Sequence, residues 1–215
     1  MCGKITQSTA WKEAVEYADL IFGSGADETV TPMRFAKIIA VDDSGARKSV
    51  RMRWGLIPSW ETDPHMGSKH IHARVETIDS KPTFREAFAQ RRGILPVTSF
   101  NEGEEITPTK TRQYVITPKA TLGIAVIWER WNGPDGALLT FAMVTTPANA
   151  LISAITNRMP AVLDERDWAK WLGEVPATTD ELKAMLKPSE GDWEMQAAGK
   201  PPPPPRPEKA QASLF

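Results

Sequence analysis

Residues 122–146 read LGIAVIWERWNGPDGALLTFAMVTT. Its two apolar runs, LGIAVIWERW and LLTFAMVTT, are rich in β-branched and aromatic residues and are bounded by Gly, Pro and Asn, so both read as strands. Upstream, GILPVTSF (93–100) and QYVITP (113–118) have the same character. From Arg34 the chain reads RFAKIIAV, then DDSG, then RKSVRMRW, two strands joined by a turn. On the second, Val50, Met52 and Trp54 point one way and Arg47, Ser49, Arg51 and Arg53 the other. The arginine face reads as a solvated surface in preference to a phosphate-facing one.

Helical patterns lie between these strands. Ser8 can cap a helix with Trp11, Val15, Ala18 and Phe22 on one face, ended by Gly23. In DSKPTFREAFAQRRG (79–93) a cap at Asp79 or Ser80, a first-turn proline, Phe84 and Phe88 on one side, basic residues near the end and Gly93 beyond predict another. DERDWAKWLG (164–173) and TTDELKAMLK (178–187) complete the set. Strands with interspersed helices predict an α+β fold: a single compact domain around a largely antiparallel, barrel-like sheet with flanking helices. That domain spans 1–198. Residues 199–215, GKPPPPPRPEKAQASLF, form a disordered proline-rich tail.

The 215 residues carry a net charge of −1, too little to coat nucleic acid through bulk positive field, although a local basic groove is compatible with it. There is one cysteine, hence no intramolecular disulfide. No secretion signal or membrane-spanning run is evident, so a cytoplasmic location is expected, and nothing signals an oligomer.

That cysteine lies in MCGK, at position 2. Removal of Met1 leaves Cys2 with an α-amine and a thiol on adjacent carbons, a 1,2-aminothiol. The amine titrates near pH ~7.7–8.0 and the thiol near ~8.5, so neutral amine is present at cellular pH. Such a pair condenses with an aldehyde and closes a thiazolidine ring. The same residue could serve as the thiol of an amino-terminal-nucleophile hydrolase, or be a small buried hydrophobe.

The ordered segments MCGK, RWGLIPSW, HARVETIDSKPTFREAF, SFNEGEE, LGIAVIWERW, VTTPAN and ITNRMPAVL together resemble the SRAP family, the SOS response-associated peptidases, from Cys2 to about Leu172. The resemblance implies a compact α+β fold, a DNA-binding groove beside the amino-terminal cysteine, self-processing or aminopeptidase removal of Met1, and capture of abasic sites in single-stranded DNA. Cys2 carries over directly, and Glu102 inherits the family's catalytic glutamate. From composition alone, NEGEE reads as a solvated acidic turn. His72 stands where the family usually has Asn, and Thr156 and Asn157 where it usually has His and Asp. His72 is therefore a candidate relocated acid or base, suited to proton transfer near neutral pH. His70, His72 and a third ligand at His65 or Cys2 would make a metal site, but no second Cys/His cluster supports it, and neither metal nor cofactor is expected.

For DNA, the resemblance assigns Lys4, Arg74 and Arg158 to phosphates and Thr145 to the same surface. Trp60 is a candidate for stacking on a base, whereas Trp54 alternates with the core face. QASLF at the carboxyl terminus resembles the bacterial sliding-clamp peptide, with Gln211 before the anchors Leu214 and Phe215. The expected partners are thus single-stranded or junction DNA with abasic sites and the sliding clamp. The alternatives are an amino-terminal-cysteine peptidase or amidohydrolase, and a non-catalytic clamp-associated DNA adaptor.

Overall fold

The computed structural model describes residues 2–7 and 28–199. The helix expected over 8–23 and the clamp-like peptide with Gln211, Leu214 and Phe215 lie outside the described residues. The strands are β1 Lys4–Gln7, β2 Glu28–Val30, β3 Phe35–Val41, β4 Arg47–Trp54, β5 His72–Arg74, β6 Arg92–Val97, β7 Ser99–Thr107, β8 Lys110–Pro118, β9 Leu122–Gly133, β10 Gly136–Pro147, β11 Arg158–Pro160 and β12 Trp193–Ala197. The helices are α1 Pro82–Gln90, α2 Trp168–Leu172 and α3 Thr179–Met185.

The opening stretch is an antiparallel hairpin, β9–β10, in register from Gly133↔Gly136 to Val126↔Met143. Around it the order β10–β4–β3–β6–β9 returns to β10, closing a five-stranded barrel. Closure removes the unpaired edges an open sheet would expose. A second sheet, β12–β8–β7–β1–β2, is wholly antiparallel. The α+β, barrel-like expectation holds. The departures from antiparallel order are on β10, which pairs in parallel with β4 and with β5.

Side-chain alternation on the barrel strands builds two cores. Ile38, Met52, Trp54, Leu95, Val126, Phe141 and Met143 cluster with Cys2, which precedes β1, and with Ile5, Phe100 and Ile116 of the second sheet. On the opposite strand faces Ile39, Ile94, Ala125, Ile127 and Val144 meet Phe84 and Phe88 of α1, Trp168 and Trp171 of α2, and Leu182 of α3. Trp54 is fully buried, as its alternation predicts. The arginines of β4 are held by the protein: Arg47 makes a bidentate pair with Glu174, Arg51 lies over the Phe35 ring, and Arg53 donates to the Pro64 carbonyl at 2.9 Å.

The structure revises the ends of two predicted elements. The residue before α1 is Lys81, with no side-chain cap; Asp79 instead pairs with Lys183, and the Ser80 hydroxyl donates to the Thr77 carbonyl. Gly93 does not stop the helix but sits inside β6, where a Cβ would lie 2.7 Å from Ile38 Cγ2 and 3.0 Å from the Ile39 oxygen. NEGEE is strand, not turn: it lies within β7, with Glu102 turned inward and buried.

One tight backbone approach shapes the site. Gly55, at φ 130°, packs on Gly67 in the 3-10 turn Pro64–Lys69, and a Cβ on Gly67 would lie 2.5 Å from the Gly55 oxygen. The conformation at Gly55 suits glycine alone. Together the two glycines seat the turn bearing Ser68 and Lys69 against the end of β4.

Candidate active site

Cys2 is held where the second sheet meets the barrel. β1 runs antiparallel to β7 with Lys4 opposite Asn101 and Ile5 opposite Phe100, which brings Glu102 beside the start of the chain. The Glu102 carboxyl lies beside the Cys2 main chain, whose N–H favours its ionised form. That nitrogen becomes the α-amine when Met1 is removed. Burial raises the Glu102 carboxyl to about 7, against the amino-terminal charge and, more weakly, the Cys2 and Gly103 backbone N–H groups, which pull it down. A carboxyl so placed exchanges protons near neutrality.

The Cys2 side chain is buried, with 1% exposed, and its Sγ lies 3.5 Å from the Lys4 carbonyl. Desolvation, reinforced by the neighbouring Glu102 carboxylate, pushes the thiol well above its ordinary range. It is a protonated thiol at neutral pH.

His72 comes from β5, which β10 holds in parallel through Met143↔His72 and Thr145↔Arg74. Its Nε2 lies 2.7 Å from the Cys2 carbonyl oxygen. A carbonyl can only accept, so the proton sits on Nε2. Burial depresses the imidazole to about 4, so the ring is neutral at physiological pH. Its edge meets Trp54, with ring centroids 6.2 Å apart. His70 lies outside β5, and its Nδ1 lies 3.2 Å from the Leu56 carbonyl. Among the described residues no three potential ligands converge on a metal position.

Cys2 and His72 line a cleft of about 590 Å³ with Gly3, Ser68, Lys69, Ile71, Arg74, Lys81 and Phe84. A second cleft of about 310 Å³ is lined by Arg74, Glu76, Thr77, Lys81, Asn157 and Arg158. Arg74 and Lys81 belong to both, so the two make one groove with cations along it. Arg158 is bound into its wall: it pairs with Glu76 and donates to the Thr145 carbonyl at 2.6 Å and to Thr145 Oγ1 at 3.3 Å. Thr145 is itself buried.

Of the residues singled out from the sequence, Cys2, Glu102, His72, Arg74, Thr145 and Arg158 therefore converge. Lys4 is exposed on β1, and Trp60 is 57% exposed; neither lines either cleft. Lys69, Lys81 and Phe84 were not singled out as site residues. Lys81 was signalled only by its place before Pro82, which reads as helix entry.

Fold and site together define a protein whose second residue is a cysteine, flanked by a buried glutamate and a histidine at the head of a basic groove. A family model described as SOS response associated peptidase (SRAP) matches residues 1–200. The chain belongs to the SRAP family. It is 33% identical over 200 residues to the abasic site processing protein YoqW of Bacillus subtilis, covering 89% of each chain. To the abasic site processing protein HMCES of Gallus gallus it is 29% identical over 174 residues, covering 69% of this chain and 52% of that one. A crystal structure of a Bacteroides thetaiotaomicron protein superposes with a TM-score of 0.71 at 27% identity, covering 80% of this chain and 78% of that one. One from Bordetella bronchiseptica gives 0.73 at 23% identity, covering 92% and 100%, and attests the fold. No helix among the described residues is long and apolar enough to cross a membrane.

Proposed function

We propose that this protein processes abasic sites in DNA, capturing the ring-opened sugar as a thiazolidine on Cys2 after Met1 is removed. The observation that carries the reading is the buried Glu102 carboxyl set beside the Cys2 main chain by β1–β7 pairing. It puts a proton-exchanging group next to the nitrogen that attacks the aldehyde. The names of the relatives, abasic site processing proteins, support the same substrate.

In this scheme Glu102 takes a proton from the α-amine as it adds to the C1′ aldehyde and returns one to the departing hydroxyl, so water leaves and an imine remains. The Cys2 thiol then adds to the imine carbon, its proton passing to the ring nitrogen or Glu102. The buried thiol is no obstacle, because it reacts after the amine has fixed the aldehyde beside it. His72 serves by position, fixing the Cys2 carbonyl; a group titrating near 4 is a weak base at pH 7. Arg74 binds phosphate along the groove and Arg158, joined to Thr145, shapes its far end. Lys4 and Trp60, outside the clefts, contact flanking single-stranded nucleotides.

A hydrolase acting through a Cys2 thiolate is disfavoured by the burial and nearby carboxylate that keep the thiol protonated. Recruitment to replicating DNA through Gln211, Leu214 and Phe215 is proposed on the sequence alone, and deleting 211–215 should abolish clamp binding while crosslinking persists.

The test is an abasic-site oligonucleotide incubated with purified protein and run on a denaturing gel. Wild-type protein should give a covalent band and Cys2→Ala none. Intact mass should show Met1 absent; an equal band from Cys2→Ala, or none from a Met1-free wild-type chain, rejects the mechanism.

A further inference from the structure

The cleft beside Cys2 is large for one sugar ring but of ordinary size for a small-molecule site, at about 590 Å³. Three of its lining residues, Lys69, Arg74 and Lys81, are exposed cations; none makes an ion pair within 4 Å with a described residue, although Arg74 also feels the Glu76 carboxylate. This contrasts with Arg47, Arg91 and Arg158, each locked to a carboxylate. The Ser68 hydroxyl and the apolar sides of Ile71 and Phe84 complete the wall. Nothing in this wall requires a polynucleotide: Cys2 and the three cations line one cleft, which suits a small molecule carrying one aldehyde and one phosphate.

We propose that the cleft also captures free, small phosphorylated aldehydes, forming a stable thiazolidine on Cys2 without DNA. The inference rests on the aminothiol reading above and extends its substrate class. The carbonyl carbon gains one bond to the Cys2 nitrogen and one to Sγ. Its oxygen leaves as water with one proton from nitrogen and one from sulfur, and no oxidant or reductant is consumed. The phosphate lies among Lys69, Arg74 and Lys81, while Phe84 and Ile71 cover the carbon chain. Captured aldehyde occupies the position an abasic site would take, so the two substrates compete.

Full-length protein lacking Met1 is incubated with glyceraldehyde 3-phosphate or with glyceraldehyde, and adduct growth is followed by intact mass, each adduct heavier by the aldehyde less one water. Exposed charge contacts of this kind are individually weak. Three of them therefore favour the phosphorylated aldehyde by about tenfold at low salt, a preference that shrinks as salt rises. Lys81→Ala and Lys69→Ala should each bring the ratio toward one, and protein saturated with the phosphorylated aldehyde should no longer crosslink an abasic oligonucleotide. Equal rates for the two aldehydes, or the same adduct on Cys2→Ala, overturn the inference while the oligonucleotide band leaves the DNA reading standing. Failure with both aldehydes and with the oligonucleotide overturns the aminothiol reading itself.

Discussion

His72 Nε2 and the Cys2 carbonyl oxygen are 2.7 Å apart, so an imidazole that burial holds near 4 anchors the residue beside a carboxyl that burial raises to about 7. The two opposed shifts predict a pH signature in stability. For His72 the unfolded state binds the extra proton between about pH 4 and 6.5, so its contribution is present above 6.5 and is lost as pH falls toward 4. For Glu102 the folded state binds it between about 4.5 and 7, so its contribution is present below 4.5 and lost as pH rises toward 7. The two cancel from about 4.5 to 6.5, and denaturant titrations should find that stretch flat. Glu102→Gln should leave stability rising with pH by about 1.4 kcal/mol per unit there, and His72→Ala should leave it falling; two parallel flat curves would refute the assignment.

Glu102→Gln should slow crosslinking by about a hundredfold, the scale of one lost acid–base group. The wild-type rate should climb as pH passes about 7, where the carboxyl ionises, and that inflection should be missing from the variant. Single-turnover rates from pH 5.5 to 8.5 on an abasic oligonucleotide measure both.

Arg74 and Arg158 separate binding from framework. Arg158 has 11% of its side chain exposed and holds Glu76 and Thr145. Its replacement by Ala should lower stability by about 1–3 kcal/mol as well as weaken DNA binding. Arg74→Ala should leave stability within about 0.5 kcal/mol and weaken binding, with the salt dependence of log K reduced by about one. Chemical denaturation and binding isotherms at several salt concentrations distinguish them.

Gly67→Ala places a methyl group against the Gly55 oxygen, at 2.5 Å, so the turn carrying Ser68 and Lys69 must move. A loss of about 1–3 kcal/mol is expected, with a slower crosslinking rate because one wall of the cleft shifts. Thermal melting and single-turnover kinetics on the same preparation check the pair of effects.

The barrel hairpins were legible because the alternation of β4 and the apolar, turn-bounded runs of β9 and β10 are local signals. Met52 and Trp54 are buried, while Arg53 between them is half-buried and Arg51 before them is exposed. Parallel pairing of β10 with β5 leaves no local trace, since Thr145 and Arg74 are distant in sequence. Local chemistry also misled at Glu102: an acidic, glycine-containing run reads as a turn, yet β8 supplies partners for the outward residues. Glu104 accepts from the Tyr114 hydroxyl at 2.9 Å, and Gly103 leaves room for Thr111 and Gln113. The resemblance named Glu102, but neither its burial nor its place beside the Cys2 main chain could be read from spacing.

Cys2 meets Glu102 through β1–β7 pairing and His72 through β5, whose position depends on β10. These contacts span long stretches of chain, so they require β7 and β10 to be in place. During synthesis the second residue emerges first, while β7 and β10 are still to be made. An unfolded chain already stripped of Met1 would thus offer its aminothiol to any passing aldehyde, and an adduct there would obstruct the strand pairing that completes the domain. On the proposed mechanism newly made protein would be the vulnerable pool under aldehyde stress, and a delay between translation and methionine removal would protect it.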